Sequence, residues 1–342
     1  MDWKSDDASL YGRRKFLETL ALAGAAGAIG LRPGLAAAEP PPETTRIRLS
    51  KTPSVCVAPQ FVAEELLRAE GFTHIEYIGG SGGLAGAQRV GAGAVDIDMN
   101  FAAPLVIAID TGVPIVLLGG VHVGCFELFG TEHVRTIKDL KGKTVAILSK
   151  GSSQHVFLAS IATSVGLNPN RDINWVDHPA AEGKRLLAEG KIDAYLGFPP
   201  DPQELRAKKV GHVVLNSAVD RPWSQYFCCL VAANREFVAK HPVAAKRALR
   251  AILKGSELCA SNPELGAKAY LAQGFQTNPD YVRQAIRELP YGKWREYNPE
   301  ETIRFYALRL REAEMVKNSP QKLIAQGTDW RILDQLKKEM KA

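Results

Sequence analysis

The segment Leu148-Ser149-Lys150-Gly151-Ser152-Ser153 ends a short apolar run and opens a helical pattern, and Leu49-Ser50-Lys51 repeats part of it 99 residues earlier. Around both segments the pattern predicts the same order of elements: strand, turn, helix, strand, helix, strand. A second set of markers recurs at a spacing of 97, namely Gly93, Asp96 and Phe101 followed by Gly190, Asp193 and Phe198. Two spacings that differ by only two residues predict a duplicated architecture.

Short apolar strands that alternate with helices predict an α/β protein with mostly parallel sheets covered on both faces. The predicted strands are residues 46–49, 75–78, 94–99, 115–118, 144–147, 173–176, 192–196 and 227–232. Beyond residue 232 the pattern is helical, and its best-bounded helix runs from Pro242 to Ala260.

The duplication predicts two lobes that face each other across a ligand cleft. We expect residues 39–128 and 228–342 to form lobe 1, and residues 129–227 to form lobe 2. The two connecting segments, 121–129 and 223–231, would then act as a hinge between the lobes.

The first 38 residues have the pattern of an export signal. Arg13 and Arg14 precede a mildly apolar, Ala/Gly-rich run that ends at residues 36–38. The paired arginines favour twin-arginine export, although Gly12 and Glu18 depart from that signal and leave Sec export open. The run is too short and too weakly apolar to span a bilayer permanently. We expect cleavage near Ala38 and a mature chain in the periplasm.

Charge and cysteine content limit the classes of function. The net charge of +6 is spread along 342 residues without a block of like charges, which suits anions in general and argues against nucleic acid as a partner. The five cysteines and seven histidines show no metal-ligand spacing, so we expect neither a metal nor a cofactor. An odd number of cysteines leaves a thiol free, and a bridge from Cys125 to Cys228 or Cys229 stays open.

The turn that opens the helix after residue 150 is the first candidate ligand site. Backbone N–H groups and the positive end of the helix dipole favour an anion there. Gly151 allows close approach of the backbone, while Ser152 and Ser153 can cap the helix or donate hydroxyls to a ligand. The lysines at 51 and 150 are expected to be solvated.

The glycine-rich loop at residues 79–83 is the second candidate site, in which Gly80 and Ser81 would meet an oxyanion from the other lobe. Weaker candidates for the cleft lining are Ser54, Asn100, Phe101, His178, Phe198, Trp223 and Tyr226. The same loop formally matches the Gly-x-Ser-x-Gly nucleophile elbow. An exported serine hydrolase using Ser81 is therefore an alternative function, disfavoured because no His-Gly-Gly segment precedes the loop and no histidine is marked as the base.

The motifs together resemble the periplasmic solute-binding proteins of ABC importers for nitrate, alkanesulfonates and taurine, with their thiamine-precursor-binding, NMT1-like relatives. The segments that carry the resemblance are Gly79-Gly80-Ser81, Gly93-Ala94-Val95-Asp96, Gly112-Val113-Pro114, Lys138-Asp139-Leu140-Lys141-Gly142-Lys143-Thr144-Val145-Ala146, Gly151-Ser152-Ser153, Gly166-Leu167-Asn168-Pro169 and Gly190-Lys191-Ile192-Asp193-Ala194. The resemblance implies a type II periplasmic binding protein fold of two hinged lobes, without catalysis.

The resemblance also implies partners. It implies capture of a small, anionic organic solute, such as a sulfonate, or of nitrate, and delivery to an ABC permease in the inner membrane, with the binding protein as a monomer. The segment 51–56 departs from the family's usual loop, so the solute is not identified. A thiamine-pyrimidine precursor is the alternative ligand, although Cys228-Cys229 is too short to stand for the cysteine motif of the thiamine-pyrimidine synthases.

Overall fold

A computed structural model describes residues 39–340, and the predicted export signal lies outside the described residues. Ten strands follow in chain order: β1 Arg46–Lys51, β2 His74–Gly79, β3 Ile97–Phe101, β4 Ile115–Val123, β5 Glu127–Gly130, β6 Lys143–Ile147, β7 Ile173–Asp177, β8 Ala194–Gly197, β9 His212–Asn216 and β10 Phe227–Asn234. In this part of the chain they form two five-stranded sheets.

Thirteen α-helices surround the sheets in the described residues. They are α1 Ala58–Ala69, α2 Gly83–Gly91, α3 Ala102–Asp110, α4 Ser153–Ser164, α5 Ala180–Ala188, α6 Asp201–Ala207, α7 Arg235–Lys240, α8 Pro242–Ser261, α9 Pro263–Leu271, α10 Pro279–Glu288, α11 Pro299–Glu312, α12 Pro320–Gly327 and α13 Arg331–Glu339. No helix between residues 39 and 340 combines the length and apolarity needed to cross a membrane.

Asparagine followed by proline starts several C-terminal helices. Asn262, Asn278 and Asn298 each accept a hydrogen bond from a backbone N–H of the first helical turn, and each precedes a proline at the first helical position. The asparagine satisfies a donor that the helix leaves unpaired, and the proline lacks the N–H that would have no partner. These starts confirm that the C-terminal region is helical.

The two sheets have the same strand order. The first reads β2-β1-β3-β10-β4, and the second reads β7-β6-β8-β5-β9. In each, three parallel strands are followed by one antiparallel strand, β10 or β5. Every residue of β3, β4 and β10 is buried, as expected for strands covered on both faces. The predicted α/β duplication is confirmed.

Asp96 and Asp193 occupy equivalent positions. Asp96 Oδ2 accepts the backbone N–H of Arg48 at 2.7 Å, and Asp193 Oδ2 accepts that of Thr144 at 2.8 Å. Each aspartate also donates its own N–H to the carbonyl of the same partner. Each carboxylate thus ties the start of one strand to its neighbour, which explains the recurrence at a spacing of 97.

The repeat of Leu49-Ser50-Lys51 at residues 148–150 does not match equivalent positions of the two sheets, so this prediction is wrong. Leu49 pairs with Ile97 in the first sheet, and its counterpart in the second is Val145, which pairs with Ala194. Residues 49–51 are therefore strand, whereas residues 148–150 follow the end of β6. Their shared Leu-Ser-Lys sequence is a coincidence of spacing.

The sequence reading missed β5, β9 and α6, and it began β3 three residues too early. β5 has only four residues and lies inside the predicted hinge, where no alternation of apolar and polar residues marks a strand. The chain passes between the sheets at residues 124–126, a shorter segment than predicted, and again at residues 217–226, which begins six residues earlier than predicted and has about the predicted length. The lobe boundaries and the hinge themselves stay predictions.

Asp96 and Asp193 each join two neighbouring strands, and we expect their removal to destabilise the protein by unequal amounts. Asp96 is buried and also accepts Arg48 Nη2 at 2.6 Å, whereas Asp193 is more exposed and lies 3.7 Å from Lys143 Nζ. We expect Asp96→Ala to lower the free energy of unfolding by about 3 kcal/mol and Asp193→Ala by about 1 kcal/mol. Urea unfolding of both variants checks this, and equal losses would contradict it.

Candidate functional site

A cavity of about 70 Å³ lies where the carboxyl ends of β1, β3, β6 and β8 meet. Crevices at the carboxyl ends of parallel strands are the usual ligand sites of α/β proteins. The lining comes from three sources: Thr52, Ser54, Cys56, Val57, Gly82, Met99, Asn100, Phe101, Cys228 and Cys229 from the first sheet and its loops; Leu148, Ser152, Ser153, Gln154 and Phe198 from the second; and Cys125 and Phe126 from the crossing segment at residues 124–126.

Five of the nine predicted ligand contacts line this cavity: Ser54, Asn100, Ser152, Ser153 and Phe198. The other four, Gly80, Ser81, Gly151 and Trp223, do not. Thr52 lines the cavity without having been predicted, and its hydroxyl oxygen is buried without a hydrogen-bond partner. No sequence signal singles it out, because an unpaired hydroxyl is recognised only from its surroundings.

The turn after β6 presents the start of α4 to the cavity. Ser152 is 7% exposed, and its Oγ accepts the backbone N–H of His155 at 3.3 Å. It therefore caps the helix, and the expected capping role is confirmed. Because Ser152 and Ser153 also line the cavity, the N-terminus of a twelve-residue helix faces the space where a ligand would lie.

Asn100 holds the glycine loop in place. Its Oδ1 accepts the N–H groups of Gly83 at 2.9 Å and Phe101 at 2.8 Å, and its Nδ2 donates to the Gly83 carbonyl at 2.9 Å. Gly82 consequently reaches the cavity, while Ser81 and Gly80 are exposed. The loop meets the cavity through backbone, and Asn100 supports it from beneath.

Two backbone hydrogen bonds join loops of the first sheet to loops of the second. Leu84 N–H donates to the Gly151 carbonyl at 3.3 Å, and Val55 N–H donates to the Pro199 carbonyl at 3.2 Å. A Cβ placed on Gly83 would lie 3.0 Å from Ser153 N. The two walls of the cavity are therefore in direct contact, and Gly151 contributes through its carbonyl to that contact.

Aromatic rings form the wall of the cavity nearest the crossing segments. Phe101 and Phe198 hold equivalent positions at the ends of β3 and β8, and both line the cavity. Phe126 packs against both, with ring centroids 4.8 and 6.3 Å away. Trp223 packs behind them against Phe157, with centroids 5.4 Å apart, so the structure places it in the core.

An outer chamber of about 560 Å³ adjoins the inner cavity and shares Leu148, Gln154 and Phe198 with it. Its lining includes His178 and the rings of Tyr195, Tyr270, Phe275 and Tyr281. Lys184 Nζ also lies here, 2.8 Å from Asp201 Oδ1. Among the lining residues of the inner cavity none is charged. Of the two, only the outer chamber is lined by charged side chains. Lys51 Nζ lies 5.5 Å from the ring centroid of Phe275, which lines that chamber.

Four of the five cysteines line the inner cavity, and all five are free thiols. The bridge left open between Cys125 and Cys228 or Cys229 is therefore not formed. Cys228 sits at a register shift between β10 and β4. Successive strand residues normally point to opposite faces, and the shift explains how Cys228 and Cys229 both reach the cavity.

Cys56, His122 and Cys229 form a group that sequence reasoning missed. One ligand atom of each, two sulfurs and an imidazole nitrogen, lies within 4.8 Å of the other two. The three residues stand 66 and 107 positions apart in the chain. A search for short ligand spacings does not detect such a group, because the pairing of β4 with β10 brings His122 to Cys229 and the turn at residues 55–57 adds Cys56.

Asp98 lies buried beneath the glycine loop and predicts a pH-dependent stability. Burial raises its pKa to about 7, and its Oδ2 has no hydrogen-bond partner. The pKa of Asp98 is higher in the folded protein than in the unfolded chain. The free energy of unfolding is therefore highest below about pH 4, where Asp98 is protonated in both states, and it falls as the pH rises through 7. We expect Asp98→Asn to be more stable than the parent at pH 8, with the difference vanishing near pH 4. Denaturant unfolding across this range tests it, with the exposed Asp177→Asn as the control.

Gly83 tests the contact between the two walls. Gly83 and Gly142 both have positive φ, +69° and +74°, but a Cβ on Gly142 would meet nothing within 4 Å. Alanine at either position incurs the same backbone strain, and only Gly83→Ala also collides with residues 151–153. We expect Gly83→Ala to lower the free energy of unfolding by about 1 kcal/mol more than Gly142→Ala. Equal losses in denaturant unfolding would show that the walls are not in contact in solution.

The family model described as NMT1-like family matches residues 40–273. Among curated protein sequences, none matches the chain significantly.

Solved structures with the same fold include three binding proteins. The alkanesulfonate-binding protein SsuA from Xanthomonas axonopodis pv. citri, bound to MOPS, is 18% identical with a TM-score of 0.65, over 86% of this chain and 100% of that one. The periplasmic nitrate-binding protein NrtA from Synechocystis PCC 6803 is 14% identical with a TM-score of 0.72, over 88% and 90%. The aliphatic sulphonate binding protein SsuA from Escherichia coli is 17% identical with a TM-score of 0.67, over 82% and 92%.

Proposed function

We propose, from the premise that the chain belongs to the NMT1-like family and has the type II periplasmic binding protein fold, that it is the solute-binding protein of an ABC importer. It captures a small organic solute in the periplasm and delivers it to a permease in the inner membrane, without catalysing a reaction. The solute-binding proteins for sulfonates and nitrate that share its fold support this assignment.

The observation that carries the proposal is the cavity to which both sheets contribute. Thr52 and Ser54 approach it from one side, Ser152 and Ser153 from the other, and backbone hydrogen bonds join the two walls. A protein that closes two walls around a solute removes it from water, so each polar contact gains strength. This geometry suits the capture and release of a solute better than it suits catalysis.

The cavity also limits the ligand. At about 70 Å³ the inner cavity accommodates a small head group and little more. Because its lining carries no charged side chain, an anionic head group would be held by the N-terminus of α4 and by hydroxyls, of which Thr52 Oγ1 is unpaired. The aromatic outer chamber can take an organic tail. A sulfonate or carboxylate with an apolar tail fits both parts.

The alternatives gain no such support. Ser81 is exposed, and in the described residues no hydrogen bond joins its hydroxyl to a histidine, as a serine hydrolase requires. The cavity contains no feature specific to a thiamine-pyrimidine precursor. Such a compound remains one member of the ligand panel below.

A thermal-shift panel identifies the ligand class. It contains taurine, alkyl and aryl sulfonates, nitrate, aromatic carboxylates and pyrimidines, each tested on the chain from residue 39. A ligand at about 100 times its dissociation constant adds roughly 2.7 kcal/mol to the free energy of unfolding. We expect at least one sulfonate or carboxylate with an apolar tail to raise the melting temperature, while no response to any member would contradict the ligand class.

Matched variants then locate the contacts of the ligand found. Thr52→Val keeps the shape of the side chain and removes its unpaired hydroxyl, and Ser153→Ala removes a hydroxyl at the start of α4. Each is expected to weaken binding about tenfold in calorimetric titration, the worth of roughly one hydrogen bond. Ser81→Ala is the control and should bind normally. Weakening by Ser81→Ala alone would relocate the site to the glycine loop.

A further inference from the structure

Three side chains beside the inner cavity place metal-ligand atoms close together, and the proposed function does not use them. Cys56 Sγ, Cys229 Sγ and an imidazole nitrogen of His122 lie within 4.8 Å of one another. The three residues are 5%, 3% and 1% exposed. Two sulfurs and one imidazole form a donor set typical of zinc and of other thiophilic ions.

The imidazole of His122 is oriented for coordination. Its Nδ1 lies 3.2 Å from the Val123 carbonyl, so Nδ1 carries the proton and donates to that oxygen. Nε2 is then the atom with the lone pair, and it is buried without a hydrogen-bond partner. A histidine that binds a metal through one nitrogen usually donates to a backbone carbonyl through the other. An unpaired buried acceptor is costly unless something occupies it.

Strand pairing makes the arrangement rigid. Cys229 of β10 lies directly opposite His122 of β4. Cys56 lies in the turn of 3-10 helix at residues 55–57, whose Val55 carbonyl accepts the hydroxyl of Tyr291 at 2.9 Å. The three donors therefore come from separate elements that the core holds in place, rather than from one flexible loop.

We propose that Cys56, His122 and Cys229 bind one thiophilic d10 metal ion, Zn²⁺ or Cu⁺, and leave a coordination position open toward the inner cavity. In a tetrahedral zinc site the ligand atoms stand about 3.5–3.8 Å apart, so the donors need shift by no more than about 1 Å. Binding converts both thiols to thiolates and releases two protons. Zn²⁺ with two thiolates is neutral overall, which suits a buried site.

The open position follows from which residues line the cavity. Cys56 and Cys229 line it, together with Cys125 and Cys228, whereas His122 lies behind them. A metal held by the three donors would thus face the cavity on its remaining side. A thiolate, imidazole or carboxylate from a captured solute can complete the coordination.

Metal titration tests the site. The chain from residue 39 is reduced, stripped with a chelator and assayed for five free thiols under denaturing conditions. Co²⁺ is then added while thiolate-to-cobalt charge-transfer absorption is recorded, and Zn²⁺ is added to displace it. A separate anaerobic arm measures Cu⁺ by competition with a chromophoric chelator. We expect one equivalent to bind, and the tighter arm identifies the ion. No charge-transfer band and no Cu⁺ uptake would overturn the proposal.

Variants separate this site from other thiols. We expect metal affinity to fall at least about 100-fold in each of Cys56→Ala, Cys229→Ala and His122→Ala, since even changes outside the ligand shell lower metal affinity about 10 to 100-fold. Cys259→Ala is the matched control, because Cys259 is a buried free thiol in α8 that does not line the cavity. Its metal affinity should equal that of the parent.

Folding and function are read separately. Circular dichroism checks the folding of each variant. If a cysteine-to-alanine variant fails to fold, Cys56→Ser or Cys229→Ser, with nearly unchanged volume, replaces it at the same position. Unchanged metal affinity in a folded Cys56 or Cys229 variant would overturn the assignment. The titration uses no solute, so failure of the solute panel would leave a positive metal result standing, and the reverse also holds.

Discussion

The insertion of β10 between β3 and β4 is the constraint on which the site depends. β10 runs antiparallel to both neighbours after the chain has returned from the second sheet. Its first residue, Phe227, donates its N–H to Thr302 Oγ1 at 3.0 Å, and its last, Asn234, donates to the Val90 carbonyl at 2.8 Å. With one end anchored to α11 and the other to α2, the register places Cys229 opposite His122 and against the cavity.

The same topology brings segments of both sheets together around the cavity. Because β10 and β5 each hold the same place in their sheet, the carboxyl ends of both sets of parallel strands face one space. Loops after those strands meet through Leu84 and Gly151 and through Val55 and Pro199. A solute enclosed there would be held by helix dipole, hydroxyls, rings and thiols, and its charge would be balanced by oriented dipoles rather than by a lysine or arginine.

The features that the sequence predicts are those that recur in both halves of the chain or are set by contacts between residues close together in it. Asp96 recurs as Asp193 because each carboxylate accepts the same kind of hydrogen bond from a neighbouring strand, and Gly93 recurs as Gly190 because both adopt a positive φ. These local requirements produce a pattern that the sequence shows. Ser152 was predicted for the same reason, since helix capping is local. Ser81, Thr52 and the group at Cys56, His122 and Cys229 could not be placed. Whether a hydroxyl is paired, or whether two thiols meet an imidazole, depends on contacts between distant segments that no spacing records.

Crystallographic analysis of the protein purified directly from the cells that produce it, without unfolding, tests the central claim most directly. A solute captured during growth should remain bound, and the account predicts its electron density in the inner cavity, in contact with Thr52, the start of α4 and Phe198. Density for a solute elsewhere, with the walls at Leu84 and Gly151 apart and the inner cavity filled only by water, would contradict it.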